Sequence, residues 1–459
     1  MSRNSYQGLA WIAAMAFFMQ TLDATILNTA LPAISLSLNE SPLDMQLSII
    51  GYSISVALFI PLSGWLSDRY GSLTIFRFAL FAFVLGSIFC ALSNSLNQLV
   101  ISRILQGIGG ALMMPVVRLV IIRSVPKNQL LNAWNLMAMA GLVGPILGPI
   151  LGGWLVTYFS WHWIFLINIP IGLFGIVISG LYMPNLKNIT GKLDWKGFVL
   201  FSIALVGFTL GLDLIAESFI SVGLAMNILF LGTLFFLFYY WHAKVFPSAL
   251  LPLSLFDIRT FRLGLLANLF IRLCASSIPF LLPLMFQVVF QYRADEVGWL
   301  LAPIPISAIL MKFAVTYILK RFGYKKTLIL FSFAMAINIA SMGLLTSYTP
   351  VWKIVILFGC YGACMSVIFT AINTLTVSKI TDELASAGST VLSVAQQIGL
   401  GIGIATSSLV LSFYRQTIGE NLLQLQYAFS YTFFTISLFT VIVIFILYHL
   451  RSTDGNELR

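Results

Sequence analysis

Leu22-Asp23-Ala24-Thr25-Ile26-Leu27-Asn28-Thr29-Ala30-Leu31-Pro32 sets a single carboxylate inside a long apolar run. An ionisable group among apolar neighbours is costly, so it marks by default a site for a proton or another cation. The run extends over about 9–36, and thirteen similar runs follow it, at 46–66, 75–94, 98–121, 131–158, 163–183, 197–214, 220–242, 263–289, 297–319, 327–346, 351–376, 388–412 and 427–450. Each has the roughly 20 apolar residues needed to cross a bilayer. Of the 459 residues 59% are hydrophobic and only 9% charged, against about 25% charged in a soluble domain. The solvent for such a chain is lipid. The expected fold class is all-α, a polytopic membrane protein with 14 transmembrane helices and no room for a soluble catalytic domain.

In a soluble protein a net charge of +10 would suggest a nucleic-acid partner. Its distribution excludes that reading. Arg69, Arg77, Arg123, Lys127, Lys187, Lys192, Lys196, Lys244, Arg259, Arg262, Lys320, Arg321, Lys325, Lys326 and Lys379 fall in loops on the side of the N-terminus, and only Arg293, Lys353 and Arg415 on the other. Basic loops stay cytoplasmic, so both termini are expected in the cytoplasm. The first span lacks a small-residue cleavage site and reads as uncleaved. Cys90, Cys274, Cys360 and Cys364 lie in apolar runs without a ligand pattern. His162, His242 and His449 each sit near a span end. No nucleophile–base pair, metal cluster or phosphate loop emerges, so no metal, cofactor or enzymatic activity is expected.

A weak repeat divides the chain. Leu66-Ser67-Asp68-Arg69-Tyr70-Gly71 closes the second span, and Ile318-Leu319-Lys320-Arg321-Phe322-Gly323 the tenth. Two six-helix bundles, 9–183 and 263–450, with an inserted helix pair at 197–242, follow from it. Paired halves are a common transporter plan.

Four motifs carry the chemistry, each with a bland alternative. Gly64-Trp65-Leu66-Ser67-Asp68-Arg69-Tyr70-Gly71 is either an ordinary charged loop or a latch in which Gly64 and Gly71 allow close approach and a turn, and Asp68 and Arg69 bond neighbours or each other. Arg103, in Arg103-Ile104-Leu105-Gln106-Gly107-Ile108-Gly109-Gly110, cannot lose its charge. It either snorkels to the interface or pairs with Asp23. Gly141, Gly144, Gly148, Gly152 and Gly153, with Pro145 and Pro149, give a helix that packs closely and bends. That serves packing alone or a pivot. Trp161-His162-Trp163-Ile164-Phe165-Leu166-Ile167-Asn168-Ile169-Pro170 lies at an interface where aromatic belts are expected.

These stretches resemble signatures of the major facilitator superfamily: the G-x-L-a-D-r-x-G-r-r loop, R-x-x-Q-G-x-G-A, the antiporter run G-x-x-x-G-P-x-x-G-G, and the L-D-x-T-I-V-N-V-A-L-P and W-R-W-I-F-x-I-N-x-P segments of its fourteen-span drug:proton antiporter branch. Within that branch the chain is most similar to MdtD-type transporters. It departs at Ser72 and Leu73, where the family has basic residues and Arg77 is the nearest substitute, at Ala140, at Pro149, and at His162 for Arg. The resemblance implies a proton-coupled multidrug efflux transporter in the cytoplasmic membrane of a bacterium, with protons and small amphipathic substrates as partners, the bilayer as surroundings, and a monomer as the working unit. It places proton coupling on Asp23 and Arg103. Asn28, Gln106 and Arg272 are candidates for a substrate cavity. Arg272 would counter an anionic substrate or pair with a helix C-terminus, whereas Arg118 and Lys312 read as snorkelling residues. An exporter of one metabolite, and a non-transporting receptor or enzyme, remain the alternatives.

Overall fold

The computed structural model describes residues 3–40, 45–188, 191–217, 222–246, 249–419 and 421–458, and within these not the side chains of residues 3–5 and of Asn28, Thr29, Pro32, Gln46, Leu142, Pro145, Ile146, Pro149, Ile150, Ala216, Glu217, Val222, Ala294 and Asp295. The chain runs through helices α1 (Arg3–Leu38), α2 (Gln46–Phe59), α3 (Ser63–Tyr70), α4 (Ser72–Ala91), α5 (Leu96–Ser124), α6 (Lys127–Tyr158), α7 (Trp163–Leu166), α8 (Asn168–Tyr182), α9 (Trp195–Glu217), α10 (Val222–Val245), α11 (Arg259–Leu284), α12 (Ala294–Leu301), α13 (Pro303–Phe322), α14 (Tyr324–Met342), α15 (Val351–Val377), α16 (Ala385–Ile418) and α17 (Leu422–Tyr448). No strand occurs among the described residues. Thirteen helical stretches are long and apolar enough to cross a membrane among those residues. The further long helix, α6, occupies the fifth expected span. In a bilayer every backbone polar group must be satisfied internally, which leaves helices as the form for such runs.

Three predicted spans are interrupted. The second is α2 and α3 joined by a 3-10 turn at Ile60–Leu62, with Pro61 removing a backbone donor. The sixth is α7 and α8, and the tenth is α12 and α13, with Pro303 opening α13. Turns are marked locally. Ser95 caps α5, its hydroxyl accepting from the Gln98 amide at 3.4 Å, while Gln98 Oε1 accepts from the Asn94 amide at 2.9 Å. This short connection makes α4 and α5 antiparallel neighbours and fixes the depth of Arg103 two turns further on.

The chain falls into two compact units. Unit 1 comprises 1–210, 228–255 and 380–394, and unit 2 comprises 211–227, 256–379 and 395–459. In unit 1, α1 packs on α5, α6 and α8, and α4 on α5 and α8. An apolar cluster from Ile26, Leu27, Ala30 and Ile34 of α1, with Cys90, Leu96, Leu99, Leu155, Trp161 and Phe165, lies immediately beyond Asp23. The α9–α10 pair approaches closely at Gly207 and Gly232, where a Cβ on Gly207 would sit 3.0 Å from the Gly232 Cα. Its lower ends are tied by His242 Nε2 on Asp194 Oδ1 at 2.8 Å. In unit 2, α11 packs on α15 and α17, and α13 on α15. α11 carries Pro279 and Pro283 and ends in a π-turn at Met285–Val289.

Candidate functional site

Asp23 is sealed, with 1% of its surface exposed. Helix α5 brings Arg103 to it, Nη1 donating to Oδ2 at 2.7 Å. One turn on, Gln106 Nε2 donates to Oδ1 at 2.8 Å. From α8, Asn168 Nδ2 donates to the same oxygen at 3.0 Å. The spacing 103–106 is what puts both side chains on one face of α5. Around this core lies a second ring of partners. Arg103 Nη1 also donates to Gln106 Oε1 at 2.6 Å. Ser87 Oγ of α4 accepts from Gln106 Nε2 at 2.9 Å and from Asn168 Nδ2 at 3.3 Å, and itself donates to the Phe83 carbonyl. The Tyr52 ring of α2 lies 4.4 Å from the Arg103 guanidinium carbon. A buried ion pair survives only when further hydrogen bonds fill its remaining sites, and here three donors converge on the carboxylate.

The pairing alternative for Arg103 therefore holds over snorkelling. Gln106, expected to line a cavity, has no exposed surface and belongs to the Asp23 network, because its amide is needed there as both donor and acceptor. Asn28 and Pro145 were singled out as well, but their side chains lie outside the described ones. Sequence reasoning did not assign roles to Tyr52, Ser87 and Asn168. Asn168 sat inside a quoted motif and so carried a signal. Tyr52 and Ser87, lone polar residues in apolar runs, carried none.

In the loop at 64–71 Asp68 bonds a neighbouring helix end rather than Arg69. Asp68, 6% exposed, accepts from Arg123 Nη1 at 2.6 Å. Arg69 is exposed, because it occupies the outward face of the last turn of α3. Arg123 also donates from Nε and Nη2 to the Asp382 carbonyl at 3.1 and 3.0 Å. Ser63 Oγ lies 3.1 Å from Thr390 Oγ1, and a Cβ on Gly64 would come 3.1 Å from the Ser386 carbonyl oxygen. Gly71 has φ +102°, a backbone that glycine adopts readily. Arg77 does not replace the missing basic residues of the loop: its Nε donates to the Ile176 carbonyl of α8 at 3.0 Å. Ser72 instead holds the following connection, its hydroxyl donating to the Pro184 carbonyl at 2.9 Å.

The glycine row of α6 faces α1. Cβ atoms on Gly141, Gly144 and Gly148 would meet Phe17, Thr21 and Thr25 in turn, whereas one on Gly153 would meet nothing. Gly152 is buried. Thr25 Oγ1 also donates to the Gly144 carbonyl at 3.4 Å. The row thus seats the helix that carries Asp23.

Two cations expected to snorkel do not. Arg118 is 3% exposed, with Nη1 donating to Ser393 Oγ at 2.8 Å and its guanidinium 5.3 Å from the Trp134 ring. Lys312 is 1% exposed and donates to the Ser366 carbonyl and to Thr370 Oγ1. Both project from the inward faces of their helices, which distance from the helix end alone does not reveal. Arg272, on α11, donates from Nε to Asn268 Oδ1 at 2.9 Å rather than to a helix C-terminus. No group of three or more metal-ligating residues occurs among the described ones.

Comparison with known proteins identifies the family. The family model described as Major Facilitator Superfamily matches residues 13–404 and 265–456. "Probable transport protein HsrA" of Haemophilus influenzae is 55% identical over 99% of this chain and 98% of its own. "Putative multidrug resistance protein MdtD" of Serratia proteamaculans is 39% identical over 94% of this chain and 90% of its own. Among solved structures, the proton:xylose symporter XylE superposes with a TM-score of 0.71 at 13% identity, over 99% of this chain and 98% of that one, a likeness of fold alone. The full-length family match and the 55% relative are enough to conclude that this chain, a multi-pass membrane transporter, belongs to the Major Facilitator Superfamily.

Proposed function

We propose that this chain is a proton-coupled exporter of small amphipathic compounds, a drug:proton antiporter of the bacterial cytoplasmic membrane, with Asp23 as the proton carrier. The observation that carries the reading is the sealed carboxylate with its three donors. Charged, Asp23 accepts from Arg103, Gln106 and Asn168. A proton on it cancels the attraction to Arg103 and turns one oxygen into a donor. Asn168 Oδ1 is buried without a partner, and a half-turn of its amide presents that oxygen to the new O–H. Arg103 stays held meanwhile by Gln106 Oε1 and the Tyr52 ring. Protonation thus loosens α1 from α5 without stranding a bare guanidinium, which is what a carrier needs if it is to face one side and then the other.

In this reading 9–183 and 263–450 are the two six-helix bundles, 197–242 is the inserted pair, both termini are cytoplasmic, and the chain works as a monomer. The loop around Asp68 and Arg123 acts as a latch, and the α6 glycine row as the bearing on which α1 moves. The names of the relatives, one a transport protein and one assigned to multidrug resistance, support export of foreign compounds. Export of one metabolite is the second reading, favoured by the lone charge of Arg272. The deciding test is proton release from acidified inside-out vesicles on adding cationic, neutral and anionic amphiphiles, with wild type and Asp23→Asn. Release that is lost in Asp23→Asn supports the proposal. Release that survives moves the proton elsewhere.

A further inference from the structure

We infer that Arg272 binds the anionic head group, a carboxylate or phosphonate-like oxyanion, of the transported compound. This rests on the transport reading but not on proton coupling. Arg272 is residue 14 of the 26 in α11, the middle of the span. Its Nε is fixed by Asn268 Oδ1 at 2.9 Å, Asn268 Nδ2 donates to Asn373 Oδ1 at 2.7 Å, and Gln396 Nε2 donates to the same oxygen at 3.1 Å. The guanidinium carbon lies 4.9 Å from the Phe369 ring. A Cβ on Gly399 would come within 2.9 Å of the Arg272 Cβ, so the glycine lets the stem lie against α16. All these groups belong to unit 2.

Three amides and an aromatic face therefore orient this guanidinium, yet none of them fills its forked end. Among the described residues no acceptor lies on Nη1 or Nη2 and no carboxylate touches Arg272, which is only half-buried. The contrast within the chain is plain. Arg103 is sealed against an acid, and Lys312 is sealed against a carbonyl and a hydroxyl. A charge at mid-depth is disfavoured against lipid, and in this proposal the transported compound supplies its counter-ion. A planar fork with two parallel donors matches an oxyanion bidentately, and the Phe369 ring beside it suits an apolar body.

The test uses the purified full-length chain and four matched probes, naphthylacetate, naphthylmethylphosphonate, naphthylmethylammonium and naphthylmethanol, with affinities from isothermal titration. Wild type is expected to prefer one or both anions over the ammonium and the alcohol by about tenfold or more, the scale of a charge-assisted hydrogen bond. Arg272→Gln abolishes the preference while still binding the alcohol, Arg272→Lys retains part of it, and Asn268→Ala weakens it. The arm that binds separates carboxylate from phosphonate. Equal binding of all four, no binding of either anion at millimolar concentration, or a preference that survives in Arg272→Gln overturns the inference. An anion preference intact in Asp23→Asn, alongside proton release that persists in that variant, would overturn the proton-carrier reading alone.

Discussion

The Asp23–Arg103 pair makes a prediction with an unusual sign: removing both charges should harm the fold less than removing either. Asp23→Asn leaves a guanidinium that is 2% exposed without its counter-ion. Stranding one member of a buried pair costs about 3–5 kcal/mol. The lower end applies here, because Gln106 Oε1 and the Tyr52 ring still engage Arg103, and the ring alone contributes up to about 2 kcal/mol when desolvated. Arg103→Gln strands the carboxylate with two amide donors and should cost about as much. The double variant Asp23→Asn/Arg103→Gln buries no charge and loses only the quality of some neutral hydrogen bonds, about 1–2 kcal/mol. The coupling energy between the two sites is therefore about 4 kcal/mol, far beyond the few tenths typical of independent sites. The assay is unfolding of the four proteins in detergent at pH 8, followed by tryptophan fluorescence. The double variant should unfold after both singles. Additive losses, or an Asp23→Asn protein within about 0.5 kcal/mol of wild type, would refute the view that these residues form one buried electrostatic unit.

Other outcomes follow from the same geometry. Gly148→Val, whose branches would drive into Thr25 of α1, should cost about 1–3 kcal/mol or more, whereas Gly153→Ala, facing open space, should be neutral or mildly stabilising; thermal midpoints separate them. Arg123→Ala should lose about 2 kcal/mol through its charge-assisted bonds to Asp68 and Asp382, and combining it with Asp68→Asn should add little, while exposed Arg69→Ala stays within about 0.5 kcal/mol of wild type. His162 stacks on Trp161 with ring centroids 3.8 Å apart, and burial lowers its pKa from the ordinary 6.5. The unfolded chain then binds a proton that the folded chain refuses, so stability falls as pH drops below about 6.5. Stability curves between pH 7 and pH 5 should be flatter for His162→Phe than for wild type, and identical curves would count against it.

Much of this was legible beforehand, and the residues show why. Long apolar runs determine the spans almost by themselves, since lipid leaves the backbone no other form. A carboxylate and an arginine deep in such runs have few ways to be tolerated, so Asp23 and Arg103 named each other. What sequence conceals is the face of a helix. Arg118 and Lys312 stand near helix ends, where snorkelling is cheap, yet both project inward onto Ser393 and Thr370. Asp68 has Arg69 beside it in the chain, but adjacent residues on a helix point apart, and its partner arrives from Arg123, 55 residues away. Ser87 and Tyr52 look like any polar residue in an apolar run until four helices are brought around one carboxylate.

The two copies of the weak repeat share a backbone corner but not its charge. Gly71 and Gly323 occupy equivalent places and have φ of +102° and +81°. Three positions earlier the first copy has Asp68, clasped by Arg123, and the second has Lys320. Both copies have the positive-φ corner that redirects the backbone between two helices, and only the first has the acid. The bend serves the passage from one helix to the next, while the ion pair of Asp68 with Arg123 belongs to the first copy. A side chain at position 71 would strain that corner, whereas position 68 answers only to its partner Arg123.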